Sequence, residues 1–490
     1  MKDSCASATE KLSGTVVVRM LAVTVAVLVM LCLYSTLAFG QCTLGGALSS
    51  WNAGSGNWSD GGNWIGGVPN SQTQNVCIGN GTMAAPSVVN LDISASINDL
   101  QLGSIYDTLN FDPGTILSVY GTQIINAGQI NINSGGGANA ALELENNVTL
   151  SGNGTLTLAN TGGGGTAFIY QAVGGLTLTN QSTIQGAGTI GFNGLSLINQ
   201  GTVDANASGQ TLLLASITNG IINTGGTLEA SNGGLLYFDG ITVGGGGTIT
   251  ANAGSTVQLV ANTYIVGGTL NNIGGTLGTL NGNAAILDGS TVAGAVTING
   301  TYTNGLGSTT SILGTINNKN NIQLNAGSGA NSVLIIDSVN VTLQGGGTVT
   351  MSMAGGGGSP IIDQGAGGLT LTNVDNTIEG AGIIGFNGLT VVNEATINAN
   401  SSGQTLYLES MSGGLTNTAI LEASSGGTLY IDGVTVNNAG GGTITANAGS
   451  TVQLLGNTTI QGGTLTNNGS FFGTPDGNSA ILDGSTAAGA

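Results

Sequence analysis

The chain has 490 residues, with 23 acidic side chains against four Lys and Arg, no His, and a net charge of −19. So few cations cannot neutralise a phosphate backbone or an anionic lipid surface, which argues against nucleic-acid and membrane-surface partners. A hydrophobic content of 40% argues against simple disorder. The apolar residues stand in short runs between Gly, Asn, Ser and Thr, a pattern typical of many short strands joined by tight turns.

Residues 1–40 have the pattern of a signal peptide. An apolar run spans 20–40 and is preceded by three basic side chains, Lys2, Lys11 and Arg19. We expect cleavage before Gln41, although retention of the segment as a membrane anchor stays open. Cleavage would leave 21 acidic side chains against Lys319 alone, a net charge of −20.

Residues 41–90 form a segment rich in Trp that we expect to cap one end of the fold. Two cysteines of the exported chain, Cys42 and Cys77, lie in it and predict one disulfide, whereas two Cys without His are too few ligands for a metal site. All three Trp residues of the chain also lie there: Trp51, Trp58 and Trp64. An aromatic cluster suits a cap over open strand edges, and sugar stacking on an exposed indole is the alternative.

Residues 91–490 consist of repeated strand material. The strings "ITANAGSTVQL", "AILDGST" and "SGQTL" each occur twice, 194 or 195 residues apart, which defines two long repeats at about 116–307 and 308–490. A shorter period of 21 or 22 residues separates Gly-bounded segments inside each repeat. A strand period of that length predicts an all-β fold, a right-handed parallel β-helix (β-solenoid) about 90 Å long with Asn ladders at its turns.

One repeated string also matches a nucleotide-binding pattern. "GAGTIGFNGL" at 186–195 and "GAGIIGFNGL" at 380–389 contain the G-x-G-x-x-G spacing. A dinucleotide site requires a helix after these glycines and an acidic residue about 20 positions on. Strand and turn residues follow instead, and Asn398 replaces Asp204 in the second copy. We therefore predict solenoid corners at both strings and no cofactor.

The sequence resembles bacterial surface β-helix proteins. The Trp-rich opening followed by "LINQGTVDANASGQTLLL" and "GNTTIQGGTLTNNGSF" is similar to filamentous-haemagglutinin-like adhesins and to autotransporter passenger domains with β-strand repeats. The resemblance implies a secreted or cell-surface location, associated with the outer membrane, and a non-catalytic role in adhesion or matrix. It also implies host-cell or matrix glycans or proteins as partners. The repeats continue to the last residue, so we expect either a longer protein or export by separate machinery.

An enzyme acting on polysaccharides is the alternative, because β-helices also support such chemistry. Hydrolysis needs two carboxylates about 5–10 Å apart. The candidate pairs are Glu143 with Glu145 and Glu229 with Asp239, the latter echoed by Glu422 and Asp432. Each of the following acids precedes Gly, which is ordinary turn chemistry: Asp239, Asp288, Asp432 and Asp483. We expect no catalytic residue, no metal and no cofactor.

Overall fold

The computed structural model describes residues 42–469 and 471–485 as a β-solenoid of about 18 turns. The coils stack in parallel, and apart from one short 3-10 helix the described regular structure is β-strand. The predicted fold is thereby confirmed, and at about 4.8 Å per coil the stack is roughly 86 Å long. The predicted signal peptide, 1–40, lies outside the described residues.

Most coils contribute one strand to each of three parallel faces, named here in the order in which the chain visits them. Face 1 contains Leu48–Trp51, Asn75–Ile78, Leu100–Leu102, Gln123–Asn126, Val148–Ser151, Thr177–Asn180, Ser196–Asn199, Ile221–Ile222, Thr242–Gly244, Thr263–Val266, Ala284–Gly289, Pro360–Gln364, Gly382–Gly385, Thr405–Glu409, Thr428–Asp432, Thr451–Leu455 and Phe471–Gly473. Face 2 contains Ser55–Asn57, Ser87–Leu91, Asp107–Phe111, Gln129–Ser134, Thr155–Asn160, Thr183–Gly186, Thr202–Ala205, Thr227–Ala230, Thr248–Asn252, Gly268–Ile273, Val296–Asn299, Thr370–Asn373, Thr390–Asn393, Leu415–Asn417, Thr435–Asn437, Thr458–Gln461 and Ala480–Asp483. Face 3 contains Ala95–Ile97, Ile116–Val119, Ala140–Leu144, Ala167–Gln171, Gly188–Gly191, Thr211–Ala215, Leu235–Asp239, Thr256–Val260, Thr276–Thr279, Thr301–Asn304, Asn321–Ala326, Thr348–Met353, Thr377–Gly380, Thr396–Ala399, Ile420–Ala423, Thr443–Ala446 and Thr464–Asn467.

Three further elements complete the described structure. Two long strands, Thr309–Asn318 and Ser332–Gln344, run across the corner from face 1 to face 2 near the boundary between the two repeats. The short strand Trp64–Ile65 pairs antiparallel with the first strand of face 1, and the 3-10 helix Gly61–Asn63 precedes it. The carboxylate of Asp60 caps that helix by accepting a 2.9 Å hydrogen bond from the backbone N–H of Gly62.

Columns of apolar side chains along the axis form the core. Inward and outward residues alternate in most strands, and register places each inward residue on its counterpart in the next coil. Val203, Leu228, Ile249 and Leu270 form one such column on face 2, each at most 3% exposed. Full burial of one such side chain contributes about 1.5–3 kcal/mol, and a single isolated coil could not provide it.

Asparagine ladders hold one corner of the solenoid in each repeat, as the sequence predicts. Asn180 donates through Nδ2 to Oδ1 of Asn199 at 2.8 Å, and Asn199 donates likewise to Asn223 at 2.8 Å. Asn199 also donates to the backbone carbonyl of Thr227 at 3.1 Å. The second repeat contains the equivalent ladder, with donor–acceptor distances of 2.6–3.0 Å, formed by Asn373, Asn393, Asn417 and Asn438.

The Trp segment is continuous with the solenoid. Its strands at Leu48–Trp51 and Asn75–Ile78 already pair in parallel, and the second pairs with the next coil. The three indoles are buried and meet edge to face at 4.9–5.0 Å between ring centroids, and Trp58 donates from Nε1 to the carbonyl of Pro69. Cys42 and Cys77 are bonded, with Cα atoms 6.0 Å apart. None of the three indole faces is therefore exposed for sugar stacking.

We predict that Asn199→Ala lowers the free energy of unfolding by about 2–4 kcal/mol, because it leaves a buried donor on Asn180 and a buried acceptor on Asn223 unpaired. Urea unfolding followed by circular dichroism measures the change. Asn153→Ala is the control, since Asn153 is exposed in a turn and its substitution should stay within about 0.5 kcal/mol. Equal effects of the two substitutions would contradict a stabilising ladder.

Candidate functional site

The two G-x-G-x-x-G strings form corners of the solenoid. The first runs from the end of a face 2 strand, Thr183–Gly186, into the face 3 strand Gly188–Gly191, with no helix following. A Cβ on Gly186 would lie 2.0 Å from the carbonyl oxygen of Leu158, so the glycine permits close approach of the neighbouring coil. The second string has the same arrangement, where a Cβ on Gly380 would lie 2.1 Å from the carbonyl oxygen of Met351.

The two long repeats do not present their surfaces in the same direction. Residues 188–191 lie on face 3, whereas the equivalent residues 382–385 lie on face 1. The Asn ladder likewise moves from the end of face 1 strands to the end of face 2 strands. We count one position for each face that the chain crosses, so that each of the two long corner strands counts twice. Equivalent residues of the two repeats then lie 25 positions apart, which at three positions per coil is eight coils plus one face. The second repeat is therefore shifted about 40 Å along the axis and turned by one face of three.

The candidate pair Glu229 and Asp239 is not brought together on one face. Glu229 lies on face 2, where its register neighbours are Asp204 and Thr250. Asp239 lies on face 3 between Ala215 and Val260. In the first repeat, register instead places Asp204 beside Glu229 on the adjacent coil. The sequence missed this pair because its two residues are 25 positions apart and only the coil register aligns them.

Asp204 lies in a partly buried site with a specific set of contacts. Ser231 donates from Oγ to Oδ2 of Asp204 at 2.8 Å, and Asn252 donates to Oε2 of Glu229 at 2.9 Å. Oδ1 of Asp204 is buried and accepts no hydrogen bond from the described residues. Burial raises the pKa of the Asp204 carboxyl and the charge of Glu229 raises it further, against the hydrogen bonds from Ser231.

The second repeat places its carboxylates differently. Asn398 occupies the position of Asp204 and accepts a 2.9 Å hydrogen bond from Ser424 Oγ, so its neighbour Glu422 has no carboxylate in the coil before it. Asp432 instead lies beside Glu409 on face 1, and burial together with the charge of Asp432 raises the pKa of Glu409. Neither repeat reproduces the acidic pair of the other.

Two of the Asp–Gly acids lie at or next to the ends of strands and accept several hydrogen bonds. Asp288 is 2% exposed and accepts hydrogen bonds from Tyr264 and from the backbone and hydroxyl of Ser290. Burial acts to raise the pKa of Asp288, but these hydrogen bonds outweigh it and lower the pKa. Hydrogen bonds from Ser485 likewise lower the pKa of the exposed Asp483. The contacts with Ser290 and Ser485, each two residues further on, are local, whereas the contact of Asp288 with Tyr264 joins neighbouring coils.

Glu143 and Glu145 lie near aromatic side chains that sequence reasoning did not single out. Glu143 accepts a 2.6 Å hydrogen bond from Ser118 and lies beside Tyr170 in the next coil. Burial and the charge of Glu143 raise the pKa of Tyr170 to about 12. Phe168 adjoins Tyr170 on one side and Phe192 on the other. The available signal was the alternation in "AFIYQ", which places Phe168 and Tyr170 on the outward side of one strand.

The comparisons with known proteins identify no relative: no family model, curated protein or solved structure matches the chain. In the part of the chain that the structure describes, no group of three or more Cys, Asp or Glu side chains could hold a metal ion. Among those same residues, no helix has the length and apolar character needed to cross a membrane.

We predict that Asp204→Asn stabilises the fold at neutral pH by about 0.2–1 kcal/mol, the range expected for relief of like charges on adjacent strands. The pKa of Asp204 is raised above 3.8 in the folded state. The free energy of unfolding of the wild type therefore falls as the pH rises from 3.8 to the folded-state pKa. The stability difference between variant and wild type should therefore be small at pH 3 and larger at pH 7, which unfolding midpoints at both pH values measure.

The second repeat offers the reciprocal substitution. Asn398→Asp places a carboxylate between Glu379 and Glu422 and should destabilise the protein at pH 7 but not at pH 3. Two results would contradict repulsion between carboxylates on adjacent coils. One is a loss of stability in Asp204→Asn, and the other is a stability difference from the wild type that does not change with pH in both variants.

Proposed function

We propose that the protein is an exported, non-catalytic rod that acts outside the cell as an adhesive or structural element. The observation that supports this proposal most is the unbroken stack of about 18 coils, a rigid and elongated scaffold with a large outer surface. Adhesion and matrix roles require reach and surface, which such a stack provides without any catalytic centre.

Two features support an extracellular location. A bond between Cys42 and Cys77 persists in oxidising compartments and is rare in the cytosol. The apolar run at 20–40 with three preceding basic side chains has the pattern of a signal peptide. Lys319 is the one cation among the described residues, so the rod is anionic and favours uncharged or cationic partners at a surface.

A polysaccharide hydrolase is the second candidate, and the Asp204–Glu229 pair favours it. Adjacent coils are about 4.8 Å apart, close to the 5–5.5 Å that separates the carboxylates of retaining glycosidases. A carboxyl with a raised pKa beside a second carboxylate is also the arrangement of a general acid with its partner. Against this, the second repeat has Asn398 at the acid's position although it keeps the surrounding hydrogen bonds.

Protease treatment of intact cells that produce the protein tests its location. We expect an antibody against the solenoid to detect the chain on the cell surface or in the medium, and externally added protease to degrade it while a cytosolic marker survives. A chain that becomes degradable only after cell lysis would contradict the proposal.

Reducing-end release from a panel of soluble polysaccharides tests the absence of catalysis. We expect the full-length protein, Asp204→Asn and Glu229→Gln all to match the rate without protein. Hydrolysis by the wild type that falls at least about a hundredfold in both variants would establish the hydrolase instead, because general acid–base catalysis contributes factors of that size.

A further inference from the structure

A groove crosses face 3 in the first repeat, and its shape follows from residue sizes within one column. Register aligns Ile116, Ala141, Phe168 and Thr189 on the outer side of four successive coils. Ala141 is the smallest of the four and lies between two large side chains, so the surface is depressed at its position. The resulting cavity has a volume of about 470 Å³, and its lining includes Ile116, Ala141, Phe168, Tyr170 and Phe192.

Three aromatic rings form one wall of this groove. The ring centroid of Phe168 lies 6.4 Å from that of Tyr170 and 6.2 Å from that of Phe192. Phe192 is 53% exposed although its ring is entirely apolar. The three rings lie outside the continuous core, so packing of the solenoid does not account for their position.

The backbone that presents Phe192 is strained and firmly held. Phe192 has φ 76°, a conformation that is unusual for a bulky residue, and Asn193 follows with φ 56°, which Asn adopts more readily. Gln171 donates from Nε2 to the carbonyl of Asn193 at 2.6 Å, and Asn193 donates from Nδ2 to the carbonyl of Gln171 at 3.1 Å. A conformation of this kind persists only where the surroundings enforce it, so the position of the Phe192 ring is fixed.

Polar groups lie beside the aromatic wall. Glu143 is adjacent to Tyr170, and Ser118 donates to one of its carboxylate oxygens. Glu145 lies close enough to contribute, with Glu143, to the raised pKa of Tyr170. Apolar rings beside fixed hydrogen-bond acceptors suit a ligand that has apolar C–H faces and many O–H donors. The sugar rings of a polysaccharide have both.

Charge narrows the class of polysaccharide. Glu143 lies beside Tyr170 of the groove wall by register, and the chain as a whole carries −19. An anionic polymer would be repelled, whereas hydroxyl groups donate readily to carboxylates. We propose that the groove formed by Phe168, Tyr170 and Phe192 beside Glu143 binds a strand of an uncharged polysaccharide. This assignment deepens the adhesive role proposed above and rests on it.

The second repeat provides an internal control. Phe386 and Asn387 repeat the strained pair at φ 68° and 49°, and Gln364 again donates to the carbonyl of Asn387 at 2.5 Å. By register, however, Ile361 and Asp363 take the positions of Phe168 and Tyr170. The same loop therefore exists without the aromatic wall, on a different face of the rod.

Native affinity electrophoresis of the full-length protein tests the assignment, with hydroxyethylcellulose, laminarin or galactomannan cast into the gel. We expect at least one of these uncharged polymers to retard the wild type. Phe192→Ala and Tyr170→Ala should each weaken binding about fivefold to tenfold, the loss expected for one aromatic contact. Phe386→Ala, which alters the equivalent loop, should bind as the wild type does.

Ala141→Phe supplies a second variant that adds volume to the groove, and it should abolish retardation while the circular dichroism spectrum keeps the β-sheet form of the wild type. Wild-type mobility in all three polymers, or equal binding by the Phe192→Ala and Phe386→Ala variants, would overturn the groove assignment and leave the rod proposal standing. Retardation by polygalacturonate but by none of the uncharged polymers would overturn it as well. Release of reducing ends would instead contradict the non-catalytic function.

Discussion

Hydrogen bonding between successive coils is the constraint on which the rest of this structure depends. A single coil has no partner for the backbone groups of its three strands, and those groups are satisfied only when the next coil lies in register about 4.8 Å away. Register also places chemically similar residues of successive coils on top of one another. Val203, Leu228 and Ile249 form an apolar column in this way. Asn180, Asn199 and Asn223 form an amide ladder. The core, the corners and the rod shape are consequences of this one pairing.

The same constraint separates what the repeats must preserve from what they can vary. The ladder at Asn199 recurs at Asn393 with nearly the same geometry, because a buried amide without its neighbours would be costly. Outward positions are under no such requirement, and there Asp204 is exchanged for Asn398 and Tyr170 for Asp363. Since the repeat length corresponds to eight coils and one face, these varied surfaces also point in different directions. One scaffold thus presents two different surfaces about 40 Å apart.

The architecture could be predicted from the sequence because its determinants are local and periodic. Gly-bounded β-branched segments at 21 or 22 residues give the coil, and strings repeated at 194 or 195 residues give the duplication. The face on which a given residue lies could not be predicted as readily, because the corners between strands vary in length. Glu229 and Asp239 are close in sequence but lie on different faces, whereas Asp204 and Glu229, 25 positions apart, are neighbours. The aromatic groove was not predicted for the same reason, because Phe192 and Phe168 come into contact only when the coils stack.

Hydrogen–deuterium exchange over the whole chain tests most directly whether the protein is one continuous solenoid. A single stack predicts slow exchange for the paired amides of all three faces from about residue 95 to residue 460, with fraying confined to the terminal coils. Protection should continue without a break through Thr309–Asn318 and Ser332–Gln344, the two strands that cross the corner near the repeat boundary. A band of fast-exchanging amides at this boundary, separating two independently protected blocks, would contradict the account.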